Sequence, residues 1–338
     1  MRKIFLIILF SFLFGGNEFD KVGSTSAQFL KMGVGARSMG MGGSFVGLAN
    51  DASALFWNPA GLSFSKGINT LFSHNDWALD ISHEFIGAII PLKNNNHLGV
   101  SFSALTMGEK EVTTVIEPDG NGLYYSVLDL AMGLSYAKSI SDRLSYGLTL
   151  KYIRTSAYNE SASTVAFDIG SILRTSFHNL KIGMALSNFG GELRYEGRDL
   201  IGKSDIDDQL DGNHLTDVNL NTETWPIPLM IRIGVSVDLF GMNDAFIENH
   251  FNRVTLAIDA EHPNDSSEHL NVGCEYSYKE MFFLRGGYRM NYTENAFTFG
   301  AGLKMNTTIL GETSIHYSIL PFGPFGNTNQ LSIEFQLK

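Results

Sequence analysis

From about Ile68 to the end of the chain, apolar and polar positions alternate with a period of two. That period is the mark of strands with two unlike faces. Leu128, Leu130, Met132, Leu134 and Tyr136 alternate with Asp129, Ala131, Gly133, Ser135 and Ala137, and Leu144 to Tyr152 repeats the pattern against Ser145, Gly147, Thr149 and Lys151. The same reading continues to Leu331, Ile333, Phe335 and Leu337. It predicts strands near 68–75, 82–92, 97–108, 123–138, 143–154, 162–176, 180–190, 227–240, 251–261, 269–278, 281–290, 295–305, 308–319 and 328–338. That is about fourteen, an even number as bacterial membrane barrels require.

The polar face separates two architectures. A soluble sandwich would solvate it with Lys, Glu, Gln and Thr, whereas a membrane barrel turns its apolar face to lipid and its other face to a lumen. Here the second face is Gly, Ala and Ser with single charges, which suits a crowded interior. Asp129, Lys151, Asp168, Lys181, Arg232, Asp238, Asp259, Glu275, Arg285, Arg289, Lys304, Glu312 and Glu334 all fall on that face. This is the face where charge costs least, since a lysine or arginine on the lipid face near the midplane costs about 2–4 kcal/mol. Asp129, Lys151, Asp168, Arg232, Asp259, Glu275, Arg285 and Arg289 are expected to form a luminal network of mixed sign, pairing wall to wall or wall to insert.

Connection lengths agree. Lys93 to Asn96, Ser139 to Asp142, Phe177 to Asn179, Lys279-Glu280 and Asn306-Thr307 are tight, whereas the connections after the third, fifth, seventh, ninth and thirteenth strands are longer and polar. Short turns on one side are periplasmic in such barrels. The segment 191–226 is the longest connection, and Gly241 to His250 is longer than its side predicts.

One stretch breaks the alternation. Gly33 to Leu62 carries glycines at 33, 35, 40, 42, 43 and 47, and each costs about 1 kcal/mol relative to alanine inside a helix. Its second half reads as a short helix from Ala52 to Phe56, capped by Asn50 or Asp51 and stopped by Asn58-Pro59 and Gly61. The expectation is a small-residue plug inside the barrel, with Gly35, Arg37, Gly40, Gly42, Gly43, Asn50, Asp51, Asn58, Pro59 and Gly61 as its key residues and Arg37 as a partner for luminal carboxylates.

Composition sharpens this. Phe and Tyr are abundant at 25 and 12, and charged residues make up 17% of the 338 residues, below the roughly 25% of soluble domains. The net charge of −11 and the lack of a basic stripe argue against nucleic acid. Arg2 and Lys3 followed by the apolar run Ile4 to Phe14 read as a cleaved signal peptide over 1–16, too short to span a bilayer. Residues 17–66 are then the N-terminal segment and plug, and 67–338 the outer-membrane barrel, its N-terminal side periplasmic.

Site chemistry is sparse. The glycine cluster lacks the preceding strand and the Lys-Ser/Thr ending of a nucleotide loop. Gly133 to Ala137 imitates half a nucleophile elbow, but strand alternation already explains Ser135. The nine histidines show no zinc spacing, so no metal is expected. Asp207, Asp211 and Gly212 echo a calcium loop, yet Gln209 and Val218 occupy ligand positions, so a solvated acidic loop is the better reading. The single Cys274 cannot form an internal disulfide and lies on the lipid register. Tyr152, Tyr276, Tyr278, Tyr288 and Tyr317 fit interfacial girdles. No nucleophile, base and orienter converge, so neither enzyme chemistry nor a cofactor is expected.

The run Gln28-Phe29-Leu30-Lys31-Met32-Gly33-Val34-Gly35-Ala36-Arg37-Ser38-Met39-Gly40-Met41-Gly42-Gly43, followed by Asn50-Asp51-Ala52-Ser53-Ala54 and Trp57-Asn58-Pro59-Ala60-Gly61-Leu62, resembles the N-terminal signature of the PorV/PorQ family. Trp225-Pro226-Ile227-Pro228-Leu229 and Leu284-Arg285-Gly286-Gly287-Tyr288 extend the resemblance, although the chain ends on Gln336-Leu337-Lys338 rather than on an aromatic residue. The resemblance implies a FadL-like, fourteen-stranded barrel with an N-terminal plug. It also implies a link to type IX secretion, in which the PorV-type member binds the C-terminal signal domain of cargo and shuttles it to the attachment machinery. Two expectations follow. One is a barrel that docks exported cargo or secretion-system subunits through its outward loops. The other is a FadL-like passage for a hydrophobic small molecule, with Gly33 to Leu62 as a hatch. Outer-membrane lipid is a partner in both.

Overall fold

A computed structural model describes residues 21–205, 215–242, 244–292, 296–307 and 311–337. The expected signal peptide lies outside the described residues, as do Asp207, Asp211 and Gly212. Fourteen antiparallel strands close into a barrel. In chain order they are β1 (Ile68–Asp76), β2 (Ile81–Pro91), β3 (Asn96–Met107), β4 (Val127–Ser139), β5 (Leu144–Ala157), β6 (Glu160–Arg174) and β7 (Lys181–Gly190). They continue as β8 (Met230–Gly241), β9 (Asn252–Pro263), β10 (His269–Tyr278), β11 (Phe282–Met290), β12 (Ala296–Thr307), β13 (Gly311–Pro321) and β14 (Asn327–Leu337). β1 pairs with β14, Ile68 opposite Leu337, and β7 pairs with β8 across the longest connection, so the wall has no open edge. Closure satisfies every wall strand on both sides, which a bilayer demands because it offers no water to an unpaired amide.

Alternation decides which face each residue takes. Leu134, Phe167, Ile233, Leu284 and Phe299 are exposed on the outside, while Ser135, Asp168, Arg232, Glu275 and Ser318 are buried on the inside. This inverted arrangement is the one a lipid-facing wall requires. Cys274 is a free thiol on the outward register. The strand charges named from sequence all avoid the outer face. His74, Glu84 and Arg154, which that reading left out, lie on it near the long-loop end of β1, β2 and β5.

The two ends differ. One carries the tight turns after β2, β4, β6 and β10; the other carries residues 108–126 and 191–229. The connection after β5 is shorter than expected: β5 and β6 run on to Ala157 and Glu160 and are joined by Tyr158-Asn159, with Tyr158 at φ 55°. At this end the outer face turns polar with Arg154, Ser156, Ser161 and Ser163, so the hydrophobic alternation faded before the strands did. β4 starts at Val127 rather than 123, because Tyr124–Tyr125 pairs with Lys110–Glu111 in a separate ribbon. The long segment after Gly241 keeps its place at the tight-turn end, where Ile247–Glu248 runs parallel to Phe240–Gly241. No helix among the described residues is long and apolar enough to cross a membrane.

The core is the inner segment itself. Val34, Met41, Phe45, Leu55, Trp57 and Leu62 are buried there against Leu71, Phe85 and Ile89 of the wall. Its regular pieces are short: a 3-10 turn Gln28–Lys31, helices α1 (Ala36–Gly40) and α2 (Ala54–Trp57), and a 3-10 turn Pro59–Phe64. α2 starts two residues later than expected. Asp51 is not its N-cap but closes an Asx turn before it, accepting from the backbone N–H of Ser53 at 2.9 Å. Asn58 stops the helix and caps the following turn by accepting from the Ala60 N–H at 3.1 Å.

Candidate functional site

The inner segment meets the wall where both lack side chains. A Cβ on Gly40 would lie 3.0 Å from the Gly300 Cα, and one on Gly42, already at φ +71°, would lie 3.3 Å from the Tyr288 backbone nitrogen. Gly43 sits at φ +84° between Trp57 and Asn271, Gly35 starts α1 at φ +89°, and Gly61 is enclosed by Ala49 and Ala54. Pro59 lies against the wall at Gly147 and Gly170. Backbone therefore touches backbone, and no bore is left between segment and wall along these contacts.

Charge fixes the orientation. Arg37, at the start of α1, grips Glu275 of β10 through Nε at 2.9 Å and Nη2 at 3.1 Å, and reaches Asp51 at 2.9 Å and Asn50 at 2.7 Å through Nη1. Glu275 is fully buried and also accepts from Arg253 at 3.0 Å and Arg285 at 2.7 Å. Arg285 in turn meets His316 at 3.2 Å, and Arg253 meets Glu280 at 2.6 Å. Burial raises the Glu280 carboxyl, but the Arg253 hydrogen bond and charge outweigh it and leave it below its ordinary value. On β9, Asp259 accepts the backbone N–H groups of Phe45 and Val46 at 2.6 and 2.7 Å, tying the segment without a cation.

Two further pairs brace the wall. Lys151 meets Asp168 at 2.7 Å and Asn188 at 2.9 Å, and Asn188 returns its backbone N–H to Asp168 at 2.8 Å. Arg232 meets Glu261 at 3.3 Å and lies over the Phe56 and Trp57 rings. Asp129 stands half-buried with no ion pair among the described residues, and Arg289 stacks on Tyr292 at 3.8 Å rather than joining the Glu275 group. Arg253 and Glu261, absent from the charges named from sequence, lie on the same odd register of β9 as Asp259, near the two ends of the strand.

At the long-loop end, Asp265 gathers Thr25 at 2.5 Å, Gln28 at 2.9 Å and Lys31 at 2.8 Å, and the Ser26 N–H bonds to the Pro226 carbonyl at 2.9 Å. Burial raises the Asp265 carboxyl, yet the hydrogen bonds from Lys31, Thr25 and Gln28 hold it below its ordinary value. No sequence signal marked this latch. The described chain thus starts at the long-loop end, descends through the lumen, and enters β1 from the tight-turn end.

What space remains is uneven. A cavity of about 280 Å³ lies at the tight-turn end, lined by Arg37, Asp51, Lys181, Arg253, Arg285 and Glu334 among others. The apolar cavity beside Phe29, Leu30, Leu55 and Phe56 is about 20 Å³, room for about one water. Outside, Val115 and Ile116 are 102% and 91% exposed at the tip of the 108–126 loop. Ile201, Leu215 and Leu220 are also exposed, in a hairpin of Ile201–Ser204 with Thr216–Asn219. No group of three or more metal-binding side chains occurs among the described residues.

A closed antiparallel wall with an apolar outside, tight turns at one end and long loops at the other defines an outer-membrane β-barrel. The fold is shared with the toluene transporter TodX of Pseudomonas putida, at a TM-score of 0.57 and 13% identity over 90% of this chain and 96% of that one. It is shared also with the toluene transporter TbuX of Ralstonia pickettii (0.53, 12%, 90% and 97%) and a FadL homologue of Pseudomonas aeruginosa (0.52, 12%, 90% and 98%). No curated protein matches the sequence. The model of the family described as type IX secretion system protein PorV matches residues 16–204, and the chain belongs to that family.

Proposed function

We propose that this protein is a docking barrel of the bacterial outer membrane, holding exported cargo or secretion-system subunits on its long-loop rim, with the tight-turn end in the periplasm. The observation that carries the reading is the contrast between a lumen filled by residues 25–65 and a rim that exposes Val115, Ile116, Ile201, Leu215 and Leu220. Apolar side chains held out in water at loop tips suit a protein partner, whereas a filled bore does not suit transit. Family membership supports the same reading. Gly35, Arg37, Gly40, Gly42, Gly43, Asn50, Asp51, Asn58, Pro59 and Gly61 then act as the seal, and the luminal charges as its anchors.

Removing residues 198–222 from the rim tests the proposal. The wall should still form, read as a heat-modifiable band at normal abundance, while cargo secretion and recovery of secretion subunits by pull-down fall. Unchanged secretion and recovery would overturn it.

The fold relatives described as toluene transporters support a second reading, a hydrophobic passage starting at the small cavity beside Phe29 and Leu30. It requires the inner segment to move. Uptake of toluene by liposomes carrying the protein, over empty liposomes, would favour it.

A further inference from the structure

The rim hairpin is a two-stranded ribbon with no third strand among the described residues. Its register sets Ile201 opposite Asn219, Gly202 opposite Val218, Lys203 opposite Asp217 and Ser204 opposite Thr216. The next pair inward, Leu200 with Leu220, is joined by the Leu220 N–H at 2.8 Å from the Leu200 carbonyl. In an antiparallel ladder hydrogen-bonded and non-hydrogen-bonded pairs alternate. Val218 and Thr216 therefore bond inward, while the backbone groups of Asn219 and Asp217 point away from the ribbon. An isolated pair of strands is marginal in water and gains from a third.

The two edges are unlike. Ile201–Ser204 carries Gly202 and Lys203, a weak strand former and a charge of the kind that blunts edge pairing. Leu215 to Leu220 has no lysine, glycine or proline; it holds Thr216 and Val218, and it is flanked by Leu215 and Leu220 at 57% and 59% exposure. The charge around it is one-sided: residues 191–226 contain nine acidic against three basic residues, in a chain whose net charge is −11.

We propose that the edge Leu215–Leu220 is a strand-acceptor site: it receives an extended, basic segment of a protein partner by edge-to-edge β pairing. Backbone hydrogen bonds to the outward groups of Asp217 and Asn219 hold the guest, a cation beside Asp217 sets its register, and Leu215 and Leu220 cover its apolar side chains. The inference rests on the docking reading and names the chemistry of the docked segment.

The probe is an end-blocked hexapeptide of alternating lysine and valine, titrated by fluorescence anisotropy against the full-length protein in detergent. The wild type should bind it, should bind a glutamate–valine counterpart more weakly, and should not bind a version N-methylated at alternate amides. Asn219→Pro removes one outward N–H without touching an inward bond, and should weaken binding about tenfold. Asp217→Lys should weaken it about fivefold. Equal binding of the N-methylated peptide to the wild type would overturn the proposal, as would unchanged affinity in Asn219→Pro with a normal heat-modifiable barrel. If loss of 198–222 abolishes partner recovery while Asn219→Pro and Asp217→Lys leave it intact, docking stands and edge pairing falls. If none of the three changes recovery, both fall.

Discussion

Glu275 and Asp265 each gather donors from the inner segment, one deep in the barrel and one at its rim. Glu275 is completely buried and shares its two oxygens among Arg37, Arg253 and Arg285, themselves 14%, 20% and 0% exposed. Asp265 is nearly as buried but holds a single cation, Lys31, which is 27% exposed. The deep carboxylate is the one charge shared by all three guanidiniums; Arg37 also holds Asp51 and Arg253 also holds Glu280, but Arg285 has Glu275 alone among the described residues, so removing Glu275 strands Arg285 beside two other cations in a poorly solvated space. The rim carboxylate holds one partly solvated cation, which salt already screens, beside two neutral donors, Thr25 and Gln28. The same kind of bond is thus a permanent tie in one place and a releasable one in the other.

The largest effect is expected from removing the fit that brings both ties into reach. Gly42→Leu adds a side chain at positive φ against the Tyr288 backbone, and Gly43→Leu does so against Trp57. Either should cost upward of about 3 kcal/mol in overpacking and backbone strain and deplete the assembled barrel. A heat-modifiable band at normal abundance would contradict it. Next comes Glu275→Gln, expected to cost about 3–5 kcal/mol by leaving Arg285 without a carboxylate. A lowered urea midpoint in vesicles reads it, and adding Arg285→Gln should restore part of the loss.

Asp265→Asn should cost about 1 kcal/mol, with proteolysis near residues 25–32 rising and the barrel's midpoint unmoved. The smallest effect is with pH. A carboxyl held below its ordinary value in the folded protein contributes fully above about pH 4 and loses that contribution as pH falls through the folded value. Protection of residues 25–32 in the wild type should therefore be flat from neutral down to about pH 4 and decline below it, while Asp265→Asn shows no such decline. Equal acid sensitivity in both proteins would remove Asp265 from the latch.

The wall was legible because lipid demands an apolar residue at every second position, and that demand covers all fourteen strands. Legibility stopped where the demand did. The extra residues at the joined ends of β5 and β6 include Thr155, Ser156, Glu160 and Ser161, and no period marks them. Inside, Arg37 stood out as a lone cation in a glycine-rich run, and Glu275 was on a readable register. The Asp265 latch was invisible, since its partners lie 234 to 240 residues away and sit in a loop and a single 3-10 turn. Asn188, at φ 61° beside the register shift between Phe167 and Ile169, was hidden for a similar reason: a bulge moves a side chain off the alternation that would reveal it.

The contact between Gly40 and Gly300 has a further consequence, for the order of assembly. α1 packs against β11 to β14, whereas the turn Pro59–Phe64 packs against β3 to β6. A segment that precedes the wall in the chain therefore bridges its early and its late strands, and β1 and β14 meet at the seam between them. Once that seam is shut, no gap at the glycine contacts would admit the segment. Seated while the sheet is still open, it would shorten the effective loop that closure has to cross and so lower its entropic cost. On that account the N-terminal segment is a folding template first and a stopper second.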